Sequence, residues 1–249
     1  MDKFSRRRFV ATVGAASVAP AAALLPVAPT AAAQTPAPPV TSADSARPVY
    51  LFFNLAETTF IEAACERLIP ADESGPGALG AGVPNYLDKQ LGGAWGSGER
   101  LYRSGPWQAG SPSQGYQLPF TPAELFHTAL RAINRVMDAK GTPFSTLPAD
   151  AQDAFLKSLE AGALDLDGVP SAVFFDMLWR MSVEGFFSDP VYGGNRDMVA
   201  WRMIGFPGAY ADYYEAIDRH GEKFVREPLS IGSDGHAHVH PDPNIPASL

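Results

Sequence analysis

Glu184, Asp189, Arg196 and Asp197, with Arg202 one turn further on, are the residues in this 249-residue chain whose types and spacing could do acid–base chemistry. A carboxylic acid paired with a carboxylate is what a lyase or a glycosidase needs. The same set could instead be structural, with Arg196 bridging Asp189 or Asp197 in a bidentate ion pair that fixes the turn between them. A structural role accounts for them more simply, since charge pairs around glycine turns are common and no further catalytic group is evident.

Other chemistries lack their residues. A nucleophilic hydrolase needs a histidine base and usually carries Gly-x-Ser-x-Gly. That pattern is missing, and His127, the one histidine before residue 220, lies between Phe126 and Leu130 in a helical pattern that suits a packed or surface side chain. No Gly-x-Gly-x-x-Gly directly follows a strand, no glycine loop ends in Gly-Lys-Ser/Thr, and a single cysteine cannot supply Cys-x-x-Cys-His for covalent haem. The alternating His236, His238 and His240 could bind a transition metal if extended, but they sit among Asp and Pro at a chain end and are read as a tail, not a site. No cofactor or metal site is therefore expected in this chain.

The elements that must position the charged set are helices. Met181 to Phe187 reads as the end of an apolar helix, stopped at Asp189-Pro190 because a residue before proline is pushed out of the α region. Tyr192-Gly193-Gly194-Asn195-Arg196-Asp197 then forms a turn, its glycines permitting unusual backbone angles and its Asn or Asp capping a second apolar run from Met198 to Ile204. Upstream, apolar residues recur every three and four positions from Leu51 to Leu68, with Asn54 as a cap and Pro70 as the stop. The glycine-rich loop that follows carries Asp72 and Glu73, which could hold a cation or a partner's arginine or simply be solvated. Val83–Leu91 is a short amphipathic helix. Residues 92–119 have seven glycines yet also Trp95, Tyr102, Trp107 and Tyr116, which suggests an ordered arm held on its own core or on another subunit. Thr121-Pro122-Ala123-Glu124 is a capping box that opens a helix ending near Gly141; Asp150 opens another that ends at Gly162; and Ser171 caps the helix leading to Phe187. A tyrosine-rich helix is expected over 209–220. Strand signals are scarce, and the fold class is mainly α, an irregular single-domain helical array with long ordered loops.

The ends of the chain concern its compartment. Ser5-Arg6-Arg7-Arg8-Phe9 is a twin-arginine pattern, followed by an apolar stretch broken by Gly14, Pro20 and Pro26 and by Ala31-Ala32-Ala33, a small-residue cleavage site. The expected organisation is a twin-arginine signal at 1–33, a Pro/Ala-rich linker at 34–48, a helical domain at 49–230 and a flexible histidine-containing tail at 231–249. Periplasmic localisation follows, with the chain exported already folded. Residues 34–249 carry 15 Lys and Arg against 26 Asp and Glu, a net −11, which disfavours nucleic acid and anionic lipid surfaces. Cys65, unpaired and at helical spacing from Ile61 and Leu68, is expected to be buried rather than shared with another chain.

Three ordered segments carry a resemblance: Arg67 to Ala78, Gly105-Pro106-Trp107, and Glu184-Gly185-Phe186-Phe187 through Asp189-Pro190, Tyr192 to Asp197, Trp201 and Gly205 to Gly208. Together they resemble the gluconate 2-dehydrogenase subunit 3 family, from about Leu51 to Pro207. The resemblance implies a non-catalytic small subunit that escorts a folded, FAD-bearing dehydrogenase subunit through the twin-arginine translocase and stabilises it. The flavin subunit of such complexes oxidises a sugar, sugar acid or polyol and passes electrons to a multihaem cytochrome c subunit. FAD and haem c would then belong to the partners, and contact with the membrane would come only through the complex. Asp72, Glu73, Trp107, Glu184, Asp189, Tyr192, Asn195, Arg196, Asp197 and Trp201 are the candidate structural or partner-facing residues. The alternative is a free-standing periplasmic enzyme using carboxylates near Glu184 and Asp189.

Overall fold

The computed structural model describes residues 49–210, 217–222 and 225–232, and the segments read as signal, linker and most of the histidine tail lie outside these. Six α-helices follow one another among the described residues: α1 (Leu55–Leu68), α2 (Val83–Leu91), α3 (Pro122–Lys140), α4 (Ala149–Glu160), α5 (Ser171–Phe187) and α6 (Val199–Ile204). The fold is mainly α. A minimal hairpin, β1 (Asp165–Leu166) and β2 (Val169–Pro170), turns through Asp167 and Gly168 at φ 59° and 87°. Asp-Gly with positive φ at both central positions is the tight-hairpin signature.

Local sequence starts and stops several of these helices. Asn54 Oδ1 accepts the Glu57 N–H at 3.1 Å while Glu57 Oε2 accepts the Asn54 N–H at 3.0 Å, and Thr121 with Glu124 repeats this reciprocal arrangement at α3. Gly141, at φ 67°, closes α3 in the left-handed conformation that glycine adopts without a Cβ penalty. Two expected starts are displaced. Pro148 and Pro170 occupy the cap positions of α4 and α5, neither with a side-chain cap, so Asp150 falls inside the first turn of α4 and Ser171 is the first residue of α5. The Ser171 hydroxyl turns instead to accept the Leu164 N–H at 3.2 Å, tying the helix start to the residue that leads into β1.

Such short helices are not stable by propensity and depend on the apolar face they bury. Phe126, Phe174, Ile61, Leu87, Leu130 and Leu178 are fully enclosed, and the rings of Phe60, Phe144, Phe155 and Phe174 cluster with centroids 4.8–6.5 Å apart. Each such side chain contributes about 1.5–3 kcal/mol on leaving water. Cys65 is buried in this core, as expected, with its sulfur 3.6 Å from the Ser182 hydroxyl of α5.

Long-range polar contacts lock the helices together. Arg67 of α1 grips Asp153 of α4 with two bonds of 2.8 and 2.7 Å. Asp88, a buried acid of α2, accepts the N–H groups of Leu51, Phe52 and Phe53 at 2.8, 2.9 and 3.0 Å, fastening the stretch before α1. Between α2 and α3 the glycine-rich arm is held at both ends: Gly96 accepts the Ala123 N–H at 3.0 Å, and Tyr116, Leu118 and Phe120 pack on the core. Its Trp95 and Tyr102 are exposed. The centre of the tyrosine-rich helix expected over 209–220, residues 211–216, lies outside the described residues.

Candidate partner interface

The segment after α5 is a cap built from a distance. A helix end leaves its last carbonyls without partners, and α5 has no terminal glycine. Asn195, fully buried at φ 41°, supplies what is missing: its backbone N–H donates to Gly185 O at 3.0 Å and its amide Nδ2 to Ser188 O at 2.9 Å. Its Oδ1 accepts the Ala200 N–H at 2.9 Å, so one side chain ends α5 and starts α6. Trp201 completes the closure, its indole N–H donating to Phe187 O at 2.8 Å. Gly194 is forced by the same closeness, because a Cβ there would stand 2.0 Å from Gly185 O. The turn is also tied to α2 and to the loop before it: Asn85 of α2 donates to Gly193 O at 2.8 Å, and the Arg196 N–H to Ala81 O at 2.9 Å.

The charged set behaves otherwise than its spacing suggested. Arg196 bridges neither Asp189 nor Asp197; its exposed guanidinium lies by Gly82, where a Cβ would meet it at 3.5 Å. Asp189 is occupied elsewhere. Its Oδ1 accepts the Val191 N–H at 3.0 Å and the Ser230 hydroxyl at 2.6 Å, and its Oδ2 the Ile231 N–H at 2.8 Å, which tethers a segment some forty residues away. Asp197, at φ 57°, is exposed, and its carbonyl is met by Arg202, which also pairs with Glu227 at 3.5 Å. Glu184 points away from this cluster. It accepts the Tyr86 hydroxyl at 3.4 Å and lines an open depression of about 390 Å³ with Trp95, Tyr116 and Arg180. The structure thus brings Asn195 and Trp201 together with the ends of α5 and α6, and does not bring Glu184 and Asp189 into one site. Tyr192 is exposed, and Trp107 is half-buried in the arm.

Asp72 and Glu73 lie in an exposed turn closed by the Asp72–Gly75 backbone pair, with Asp72 Oδ1 accepting the Ser74 N–H at 2.8 Å. Gly75, Gly77 and Gly80 have the spacing of a dinucleotide fingerprint, but they join two helices with no strand before them. Gly77 is needed for packing, since its Cβ would lie 2.5 Å from Ala71 N. This turn forms one wall of a groove of about 450 Å³ whose other walls are α5 and α6: Leu68, Ile69, Pro70 and Pro76 face Trp179, Val183, Phe186, Phe187 and Met203. Trp179, Phe187 and Met203 are 41%, 38% and 43% exposed, with Ile204 and Phe206 extending the apolar surface along α6. Isolated exposed apolar side chains are ordinary, but a contiguous set lining one groove marks an interaction surface.

A second feature had no signal in the sequence. Glu57, only 2% exposed, accepts His127 Nδ1–H through Oε1 at 2.9 Å, and the imidazole stacks on Phe52 with centroids 4.1 Å apart. The pair opens onto a depression of about 780 Å³ with Phe120, Thr128 and Arg131 on its walls. Arg131 folds back onto its own helix, donating to His127 O and Thr128 Oγ1. Residues seventy apart carry no periodicity that would pair them; only the acid's place in a capping box brings it to the histidine.

Among the described residues no group of three His, Cys, Asp or Glu could hold a metal ion, and no helix is long and apolar enough to cross a membrane. The His236–His240 run lies outside them. In comparison with known proteins, the family model described as gluconate 2-dehydrogenase subunit 3 matches residues 56–208. No curated protein and no solved structure matches the chain.

Proposed function

The chain belongs to the gluconate 2-dehydrogenase subunit 3 family, that of a small subunit of a dehydrogenase complex, and from that membership we propose that it acts without a cofactor of its own as the escort and stabilising subunit of a periplasmic FAD-dependent dehydrogenase. Its twin-arginine leader carries the folded flavoprotein across the membrane with it. FAD sits in that partner, haem c in a multihaem cytochrome partner, and the complex as a whole attaches to the membrane. The observation that best supports this division of labour is the use made of the motif residues. Asn195, Asp189 and Trp201 have their polar groups spent on the ends of α5 and α6 and on the 230–231 segment, while the outer faces of those helices expose an apolar groove. The motif builds a surface.

The test is export. Deleting residues 1–33 should leave the flavoprotein in the cytoplasm; finding it in the periplasm of that mutant refutes the escort role. A free-standing enzyme using Glu184 and Asp189 is disfavoured because both oxygens of Asp189 are engaged by backbone and hydroxyl donors. Turnover of a metabolite by the purified chain alone would reinstate it.

A further inference from the structure

We propose that the groove between the 70–76 turn, α5 and α6 is the seat of the flavoprotein subunit, and that it receives a bulky apolar side chain flanked by an arginine or lysine. The proposal rests on the escort reading and names the face that reading needs. Large apolar side chains line both walls, and Trp179 and Met203 are more than one-third exposed, so water is displaced from both when something fills the space. The charge on the rim is of one sign. Among the described residues Asp72 is the one ionisable group lining the groove, and Glu73 beside it is exposed and meets no cation. The cations next in sequence to lining residues are already engaged: Arg67 with Asp153 at 2.7 Å, Arg180 with Asp176 at 2.9 Å, and Arg202 with Asp197 O and Glu227. An apolar floor with an unanswered acidic edge is complementary to an apolar anchor with a basic neighbour, which gives both adhesion and orientation. The same acidity opposes an anionic lipid surface. Asn195 enters indirectly, because the bonds that hold α6 against α5 set the width of the groove.

The experiment uses the full chain co-expressed with the FAD-bearing dehydrogenase subunit that the escort reading assigns to it, with affinity measured on the purified pair. Trp179→Asp and Met203→Glu change exposed side chains and should keep the circular dichroism spectrum of the wild type while each weakens the pair by about 30-fold or more, as loss of a central anchor does. Glu73→Lys should slow association, and the defect should shrink as salt is raised. Asp138→Lys, the same charge change at an exposed position of α3 outside the groove, should bind as the wild type does. Wild-type affinity in both groove variants overturns the seat and leaves the escort role standing. A wild-type pair that does not assemble overturns both. Groove variants that instead convert a homodimer to monomer with flavoprotein binding intact would assign the face to a second copy and overturn the proposal.

Discussion

Replacing Asn195 by alanine should detach α6 from α5, and the size of the effect follows from the hydrogen bonds that the side chain makes. The Ala200 N–H is buried and would have no acceptor, which costs about 1–3 kcal/mol; Ser188 O is partly exposed and water can replace the missing donor, for about 0.5–1 kcal/mol. Alanine at φ 41° adds about 1 kcal/mol of backbone strain. The sum, about 2.5–5 kcal/mol, is a large part of the roughly 5–15 kcal/mol that holds a domain together. Urea unfolding followed by circular dichroism should therefore show the midpoint falling steeply, and native-state hydrogen exchange should show the Ala200 amide losing its protection. Asn195→Gly separates the causes, since glycine accepts the backbone angle freely but makes neither side-chain bond. It should still lose about 1.5 kcal/mol or more. A loss below about 1 kcal/mol in both variants, or unchanged protection at Ala200, would refute the assignment of Asn195 as the shared cap.

Burial pushes the Cys65 thiol from 9.0 up to about 12, against a downward pull from the Ser182 hydroxyl. Because the folded-state value is raised, the contribution to stability is complete below pH 9 and is lost as pH climbs toward 12, so wild type should lose more stability between pH 9 and 11 than Cys65→Ala. A disulfide reagent at pH 8 should label no thiol until the chain unfolds, and rapid labelling of the native protein would contradict the burial. His127→Ala removes the donor to a carboxylate that is 2% exposed and should cost about 1–3 kcal/mol. In a double-mutant cycle with Glu57→Gln the two losses should fall short of additivity; strict additivity would show that the pairing contributes nothing.

What the residues alone foretell is whatever is encoded within a few positions. Val83–Leu91, the reciprocal caps at Asn54 and Thr121 and the stop at Gly141 all follow from periodicity and neighbouring side chains. The charged set reads as structural, but its spacing pairs the members with one another, whereas their partners lie elsewhere. Asp189 finds Ser230 and Ile231, and Arg196 meets no carboxylate among the described residues, because the choice among acceptors is made by the tertiary path of the chain. Ser171 misleads for a related reason: a hydroxyl at a helix start can serve the residue leading into a strand as well as a cap. The Asp167-Gly168 hairpin is present in the residue types but too brief to stand out as a pair of strands. The groove has no local signature, since its walls come from α5, α6 and a turn about a hundred residues earlier.

The triple acceptance of Leu51, Phe52 and Phe53 by Asp88 has a mechanical meaning. Tension applied ahead of Tyr50 is shared between α1, through the Tyr50 hydroxyl on Glu62 at 2.8 Å, and α2, through the three amides gathered on Asp88. Whatever pulls on that end of the chain loads two helices of the core at once, ahead of the cap that starts α1.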